Sequence, residues 1–559
     1  MFISYIVFCT SFSIRHILAK PQSMDVLRQF QSLAWCKPDW CFPSMSKETN
    51  ELLYQCSQMP KPELTDDIDE VIRRSKAFPI PHPVPNVRLE NLKERRPIDR
   101  LRRNIASTYP ILHERVLLLI THFLIYKREY GSSMEKAFYK DMTVPEFIDR
   151  LLKKRAVVFM DAWDEYKLIT GEEGKDGWES IGSMHQRPPL LLENCLSYDE
   201  IKLSAMLYVS GPTECINDGG RVNNGELQEK DIEQEAIIIG TIGARFERRN
   251  RMEYEDILIT EQQNCPENGY GEEVTPTTCL NVLKTTYVRN NQSARHMWRQ
   301  MWAEFYQVHS YTYEELTSYI NIQDKGEESQ YTERYVRLPQ QDTVFDNEVY
   351  YKRVAILAET TLLEAEYRAR GQHKMAFLNV IGCGLGVWKI SSHQSDVYVL
   401  TFLERIRAML RRDLLNHVSD VNFAYIRTSS SITGLFTNSS NTENESPVER
   451  RIFFESKRHP NGGINVQMEN REPSSRLSGE HEGKLLVMTY PWDGNAHPGN
   501  EFWLGSLSGS GDPAAACSTQ ISELHNAHVN ANVRASNAHV ATASGVAHIR
   551  DYTRSSTDT

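Results

Sequence analysis

The chain has 559 residues, 40% of them apolar and 10% aromatic, with a formal net charge of −11. A mean hydropathy of −0.50 excludes a multi-span membrane protein. The acidic balance argues against broad electrostatic binding of nucleic acid, and the length has room for roughly two to four domains.

Met1–Cys9 is apolar and is then interrupted by Arg15 and His16. It reads as a short signal core without a basic start, or as an extension upstream of Met24. An intracellular, cytoplasmic location is expected, with secretion the alternative if residues 1–19 act as a signal peptide. Residues 1–64, with Pro38, Pro43, Pro60 and Pro62, read as a loosely ordered lead. Residues 65–155 read as helical. Asp66-Asp67 opens one helix, Ile111–Ile120 starts a strongly buried one, and Val144–Leu152 is a third with Pro145 at its start.

From residue 156 the pattern changes. Ala156–Met160, Ser204–Val209 and Ala236–Gly240 are apolar runs suited to strands covered on both faces. Residues 215–232 and 262–280 are polar loops. An aromatic helix follows, with Met297, Met301 and Phe305 on one stripe and Trp298 and Trp302 beside it; the spacing favours core packing. Val354–Arg370 is a helix, 376–381 a strand, and Val399, Phe402, Leu403, Ile406 and Leu410 mark the inward face of another helix. Val421–Ile426 and Lys484–Tyr490 are further strands. This alternation predicts an α/β fold, a mixed sheet flanked by helices, with a helical N-terminal region. Residues 428–482 read as a variable, partly disordered insert in an α/β domain spanning 156–525. Residues 526–559, where Asn526-Ala527-His528-Val529 recurs as Asn537-Ala538-His539-Val540, read as a low-complexity tail.

The ten cysteines contain no CxxC pair, and no second close pair completes a zinc set around Cys36 and Cys41. No metal and no cofactor is expected. Sequences of the G-x-S-x-G, H-E-x-x-H and P-loop types are absent. Two glycine turns carry the chemistry instead. The first is Gly382-Cys383-Gly384-Leu385-Gly386, with Trp388 just beyond. The second is Ser508-Gly509-Ser510-Gly511-Asp512-Pro513, with Asp512 as the expected helix cap and Pro513 at the first helical position. A strand, a glycine turn and a helix N-terminus together aim N–H groups and a positive dipole end at one spot, which suits a phosphate. Two such turns on one sheet suit a diphosphate, so Gly382, Gly384, Gly386, Trp388, Gly509 and Gly511 are the expected ligand-binding positions. Gly384→Glu is expected to abolish binding without unfolding the chain.

Between the last strand and the second turn lies Pro491–Trp503, rich in carboxylates, amides and indoles. Asp493, Asn495 and Asn500 are expected to bind ribose hydroxyls, and Glu501 or Asp512 to orient or activate water. Arg245, near the end of a strand, is either a phosphate ligand or, as favoured, a structural partner of Glu253 or Glu255. Cys383 and Cys517 are read as small buried residues, and Asn217–Arg221 as a turn.

The strand, the IGCGLG turn, the amphipathic helix and the strand Val421–Ile426 resemble the last third of a macro domain, the ADP-ribose-binding α/β/α module. That resemblance covers roughly residues 340–525 in a permuted-like order and implies that the turn wraps a diphosphate. The motifs GARFE at 243–247, GLGVW at 384–388, PGNE at 498–501 and SGDPAAACS at 510–518 also resemble an uncharacterised domain-of-unknown-function family, which implies no activity. The expected function is binding of a nucleotide-diphosphate ligand such as ADP-ribose, with ADP-ribosyl hydrolysis as its catalytic extension. The alternatives are a non-catalytic interaction protein that retains the fold, and an S-adenosylmethionine-dependent methyltransferase sharing the G-x-G-x-G turn. The expected partner is a nucleotide-type small molecule; no nucleic acid and no membrane span is expected, and protein partners stay open.

Overall fold

The computed structural model describes residues 22–37, 42–43, 45–160, 162–271, 282–319, 327–338, 342–436, 451–492, 497 and 499–557. Its centre is a ten-stranded mixed sheet. In chain order the strands are β1 Tyr109–His113, β2 Leu207–Glu214, β3 Glu235–Thr241, β4 Ala376–Ile381 and β5 Val418–Ala424, then β6 Ile452–Glu455, β7 Gly463–Gln467, β8 Leu485–Pro491, β9 His539–Thr542 and β10 Gly545–His548. Across the sheet they lie in the order β6-β7-β5-β4-β8-β3-β2-β1-β9-β10. Strands β7, β5, β4, β8 and β3 are mutually parallel, so their C-terminal ends share one rim. The first glycine turn leaves that rim from β4, which pairs directly with β8 in the register Asn379↔Met488, and Gly511 of the second lies against Pro491 at the end of β8.

Helices cover both faces, as the continuous apolar strands require. Helix α1, Glu114–Tyr130, follows β1 directly. Helix α2, Asn347–Gly371, begins where Asp346 accepts the N–H groups of Glu348 and Val349, and it is buried almost all round. Helix α3, His393–Arg411, packs against it. Two short helices follow β8: α4 Asn500–Trp503 and α5 Gly511–Ser518. Ser210 of β2 donates to Glu364 of α2 at 2.6 Å, while Thr213 accepts the Gln520 N–H, just past α5, at 2.9 Å. Three residues apart on a strand means opposite faces, so α2 and the end of α5 sit on opposite sides of β2.

Several expectations are corrected. Ile111–Ile120 is not one helix: Tyr109–His113 is a strand, and the helix starts at Glu114 with His113 as its cap. An unbroken apolar run has no period to divide it, so the boundary is invisible until β2 and β9 flank β1. Residues 526–559 are not a dispensable tail, because they supply β9, parallel to β1, and β10 at the sheet edge. The 428–482 segment contributes β6 and β7, and within it residues 437–450 lie outside the described part. The lead carries helices at Gln22–Ser32 and Lys47–Ser57, the latter capped by Ser46. The aromatic helix Val282–Tyr306 packs as expected, with Trp298, Met301, Trp302 and Phe305 buried. Among the described residues no helix is long and apolar enough to cross a membrane, and no cysteine pair forms a disulfide.

Candidate functional site

The chain leaves β4 through the first glycine turn towards α3 and the outer neighbour β5. It leaves β8 in the other direction: the end of α5 reaches β2 through the Cys215↔Thr519 bridge and the bond from the Glu214 N–H to Gln520 Oε1 at 3.3 Å. Crossovers that part between two adjacent parallel strands leave a crevice at the strand ends, where ligands of open α/β sheets bind.

The first turn is held from below. A Cβ on Gly243 would lie 2.3 Å from the Cys383 carbonyl carbon and from the Gly384 nitrogen, so the backbone after β3 presses directly on the turn. Gly384 has φ +74, and a Cβ there would meet Ala244 O at 2.8 Å. Cys383 is buried against Thr241, Oγ1 to Sγ 2.8 Å. Burial, outweighing the Thr241 and Tyr398 contacts, pushes its thiol up to about 11, so it is no thiolate nucleophile. Gly382 packs on Leu385 and Ile426, Trp388 is half-buried against the core, and Gly386 is open, with nothing within 4 Å of an added Cβ. The turn does not open a helix: α3 begins only at His393, so its dipole is not aimed at Gly382–Gly386.

The second turn differs in detail too. It follows the short helix α4 rather than a strand, and α5 starts at Gly511 with Ser510 at the cap position, two residues earlier than the expected Asp512 cap. Asp512 therefore lies within the first turn of α5. It is 5% exposed, its carboxylate oxygens come 3.4 Å from where a Gly499 Cβ would be, and, after burial, it is the charge that holds the Tyr490 phenol protonated. Glu501, in the first turn of α4, keeps one buried oxygen, Oε2, without a hydrogen-bond partner.

Two expected ligand positions are corrected. The Asn500 amide is engaged at both ends by Phe159, Oδ1 accepting its N–H at 2.8 Å and Nδ2 donating to its carbonyl at 2.9 Å. Asn500 ties α4 to the short strand Val158–Met160 and is not free to take a ribose hydroxyl. The Gly509 N–H donates to Arg221 O at 3.0 Å, so it holds a neighbouring loop rather than an anion. Asp493 and Asn495 lie outside the described residues. Arg245 takes its structural role, fully buried 3.4 Å from Glu253.

The structure adds residues that spacing did not mark. Tyr425, immediately after β5, is 44% exposed and has φ +59, a left-handed conformation rare for a bulky residue. Its N–H donates to Asn470 Oδ1 and its hydroxyl to Glu472 Oε1, both at 2.8 Å. A fixed, outward-facing aromatic beside the Gly382 turn is a surface on which a base can stack. Arg221 sits on the loop against α5 and is close enough to Tyr425 to influence its phenol. That loop is rigidly built: Asn217 Nδ2 donates to Cys517 O at 3.2 Å and Asn223 Nδ2 to Ala514 O at 3.0 Å. Nearby imidazoles are neutral, burial pulling His525 down to about 3 and His497 well below its ordinary value. Among the described residues no group of His, Cys, Asp and Glu could hold a metal ion. The rim thus offers an aromatic face, a small-residue turn, the first turn of a helix, one exposed arginine and two carboxylates.

The family described as ADP-ribosylhydrolase MavL-like matches residues 69–555. The chain belongs to the MavL-like ADP-ribosylhydrolase family. The match begins after the helices Gln22–Ser32 and Lys47–Ser57 and runs through β9 and β10, so it takes in the whole ten-stranded sheet. The chain is 41% identical over 510 residues to the Drosophila melanogaster ADP-ribosylarginine hydrolase CG3568, covering 90% of this chain and 92% of that one. It is 37% identical over 520 residues to the Drosophila melanogaster ADP-ribosylarginine hydrolase CG2909, covering 92% and 94%. Family and relatives alike concern ADP-ribosyl chemistry, and the methyltransferase alternative is set aside.

Proposed function

We propose that the protein hydrolyses the bond between ADP-ribose and an arginine side chain, with the ligand seated across the rim between β4 and β8. The reading is supported by a small-residue turn after β4 and two acid-bearing helix starts after the adjacent strand β8, with Gly511 against Pro491 at the end of that strand, in a chain 41% identical to a relative named ADP-ribosylarginine hydrolase. In this reading the adenine stacks on Tyr425, and the diphosphate lies along Gly382–Gly386 near Arg221. The ribose bearing the scissile bond points at α4 and α5.

Loss of a guanidine from the ribose leaves positive charge on the sugar, as in glycoside hydrolysis. A carboxylate facing that carbon stabilises the charge and accepts a proton from the attacking water. Asp512, fixed under Tyr490 and against Gly499, takes this role, and the available oxygen of Glu501 orients the water. The test is incubation with an arginine-ADP-ribosylated protein and measurement of released ADP-ribose by mass spectrometry. Asp512→Asn should lower kcat by roughly 10² to 10⁴ while ADP-ribose still binds. Absence of release from arginine, or undiminished turnover in Asp512→Asn, contradicts the proposal.

A further inference from the structure

Arg155 is a buried guanidinium with no counter-ion among the described residues. It is 2% exposed, and its Nη2 donates only to backbone, Ser204 O at 3.0 Å and Leu207 O at 3.1 Å. Its Nε and Nη1 are buried and have no acceptor. Other buried arginines are answered by an acid: Arg150 by Glu200 at 2.5 Å, Arg353 by Glu253 at 3.1 Å and Arg368 by Glu364 at 2.6 Å. Burial pulls the pKa of Arg155 below the guanidinium value, and its electrostatic neighbours are the Tyr490 phenol, which opposes that shift, and another cation, Arg245, which adds to it. Natural folds rarely keep such a charge, because removing it from water is costly and nothing in the interior repays it.

Its place explains why it is kept. The guanidinium carbon lies 4.5 Å over the Trp492 ring, a cation–π contact. Trp492 immediately follows β8, its N–H donates to Thr241 O at 2.9 Å, and Thr241 Oγ1 touches Cys383 of the first glycine turn. The charge therefore sits just beneath the ends of β8 and β3. With no carboxylate paired to it among the described residues, and buried where screening is weak, such a charge acts over a longer range than an exposed one.

We propose that Arg155 is a positioning residue for the anionic part of the ligand: its uncompensated charge beneath the rim favours a diphosphate there, and its stacking fixes Trp492 where the chain enters the site. This rests on the ADP-ribose reading above. It predicts opposite signs for folding and for binding, since a neutral side chain relieves a buried charge but removes the attraction.

The experiment uses the full-length protein with Arg155→Met, Arg155→Gln and Arg155→Lys, ADP-ribose affinity by calorimetry, and the thermal midpoint of each. Met and Gln should hold or raise the midpoint while weakening ADP-ribose at least about tenfold. Lys, which keeps the charge, should recover most of that loss. Undiminished affinity in Arg155→Met, or equal loss in Lys and Met, overturns the inference. So does a large fall in midpoint in both neutral variants, which would assign Arg155 to folding. Wild-type protein that does not bind ADP-ribose overturns the functional reading itself, whereas wild-type binding retained in Arg155→Met removes only the role of Arg155.

Discussion

Residues of one type at the rim differ in what they can do, and the differences are steric. Gly384 is needed by the fold, because its φ of +74 and the 2.8 Å approach of Ala244 O leave no room for a side chain. Gly384→Glu would therefore perturb the turn itself, contrary to the expectation that it would be structurally silent. Gly386 is the clean probe, exposed and with nothing within 4 Å of an added Cβ. Gly386→Glu should leave the thermal midpoint unchanged and weaken ADP-ribose binding at least about tenfold through like-charge repulsion. Unchanged affinity by calorimetry would place the diphosphate elsewhere. Tyr425 shows the converse: a bulky residue held at φ +59, where side chains are rare, with its N–H and its hydroxyl both hydrogen-bonded.

Elements acquire their roles from what they lean on. Helix α4 has four residues, too few to be stable alone. It persists because Asn500 replaces a missing backbone partner for Phe159 on both its N–H and its carbonyl. Asn500→Ala would leave two buried backbone groups unpaired at about 1–3 kcal/mol each. Urea titration should show that loss, and activity should fall with it because α4 carries Glu501; full stability in Asn500→Ala would show that the link is dispensable. Helix α5 is fixed in the same manner by Asn217 and Asn223, each donating to a carbonyl in it. These amides lie in a stretch whose sequence says only turn, since a side chain that bonds backbone nearly 300 positions away leaves no local pattern.

At the scale of the whole molecule, a part-buried polar cluster around Glu359 joins the first strand to two later helices. Glu359 of α2 lies 2.8 Å from His113 Nε2 at the end of β1 and accepts from Arg405 Nη1 of α3 at 2.7 Å. Burial alone would raise its pKa, but His113 and Arg405 outweigh it and hold the carboxyl at about 2 against an ordinary 4.5. A carboxylate depressed on folding contributes fully above its unfolded value and loses that contribution as the pH falls. Glu359's own share of the stability measured by chemical denaturation should be full above about pH 5 and lost between about 4.5 and 2, on top of the decline that the buried neutral histidines bring as the pH falls below about 6.5. In Glu359→Gln the decline over that window should be shallower; an unaltered acid limb would show that Glu359 does not govern it.

The sequence by itself determined the α/β class, most strands from β2 to β8, the long helices, and the two glycine turns with their acidic neighbours. Apolar periodicity and glycine spacing are local properties, legible one window at a time. It did not reveal β1 inside an apolar run, or β9 and β10 in a stretch rich in Ala, Asn and His, because their pairing partners lie hundreds of residues away. Only the tertiary structure decided that Asn500 and Gly509 are spent on backbone, that Tyr425 is exposed with Arg221 near it, and that Arg155 is buried over Trp492 with no acid paired to it among the described residues. Each of these depends on which groups the fold brings within hydrogen-bond or Coulomb range, and no spacing along a chain encodes that distance.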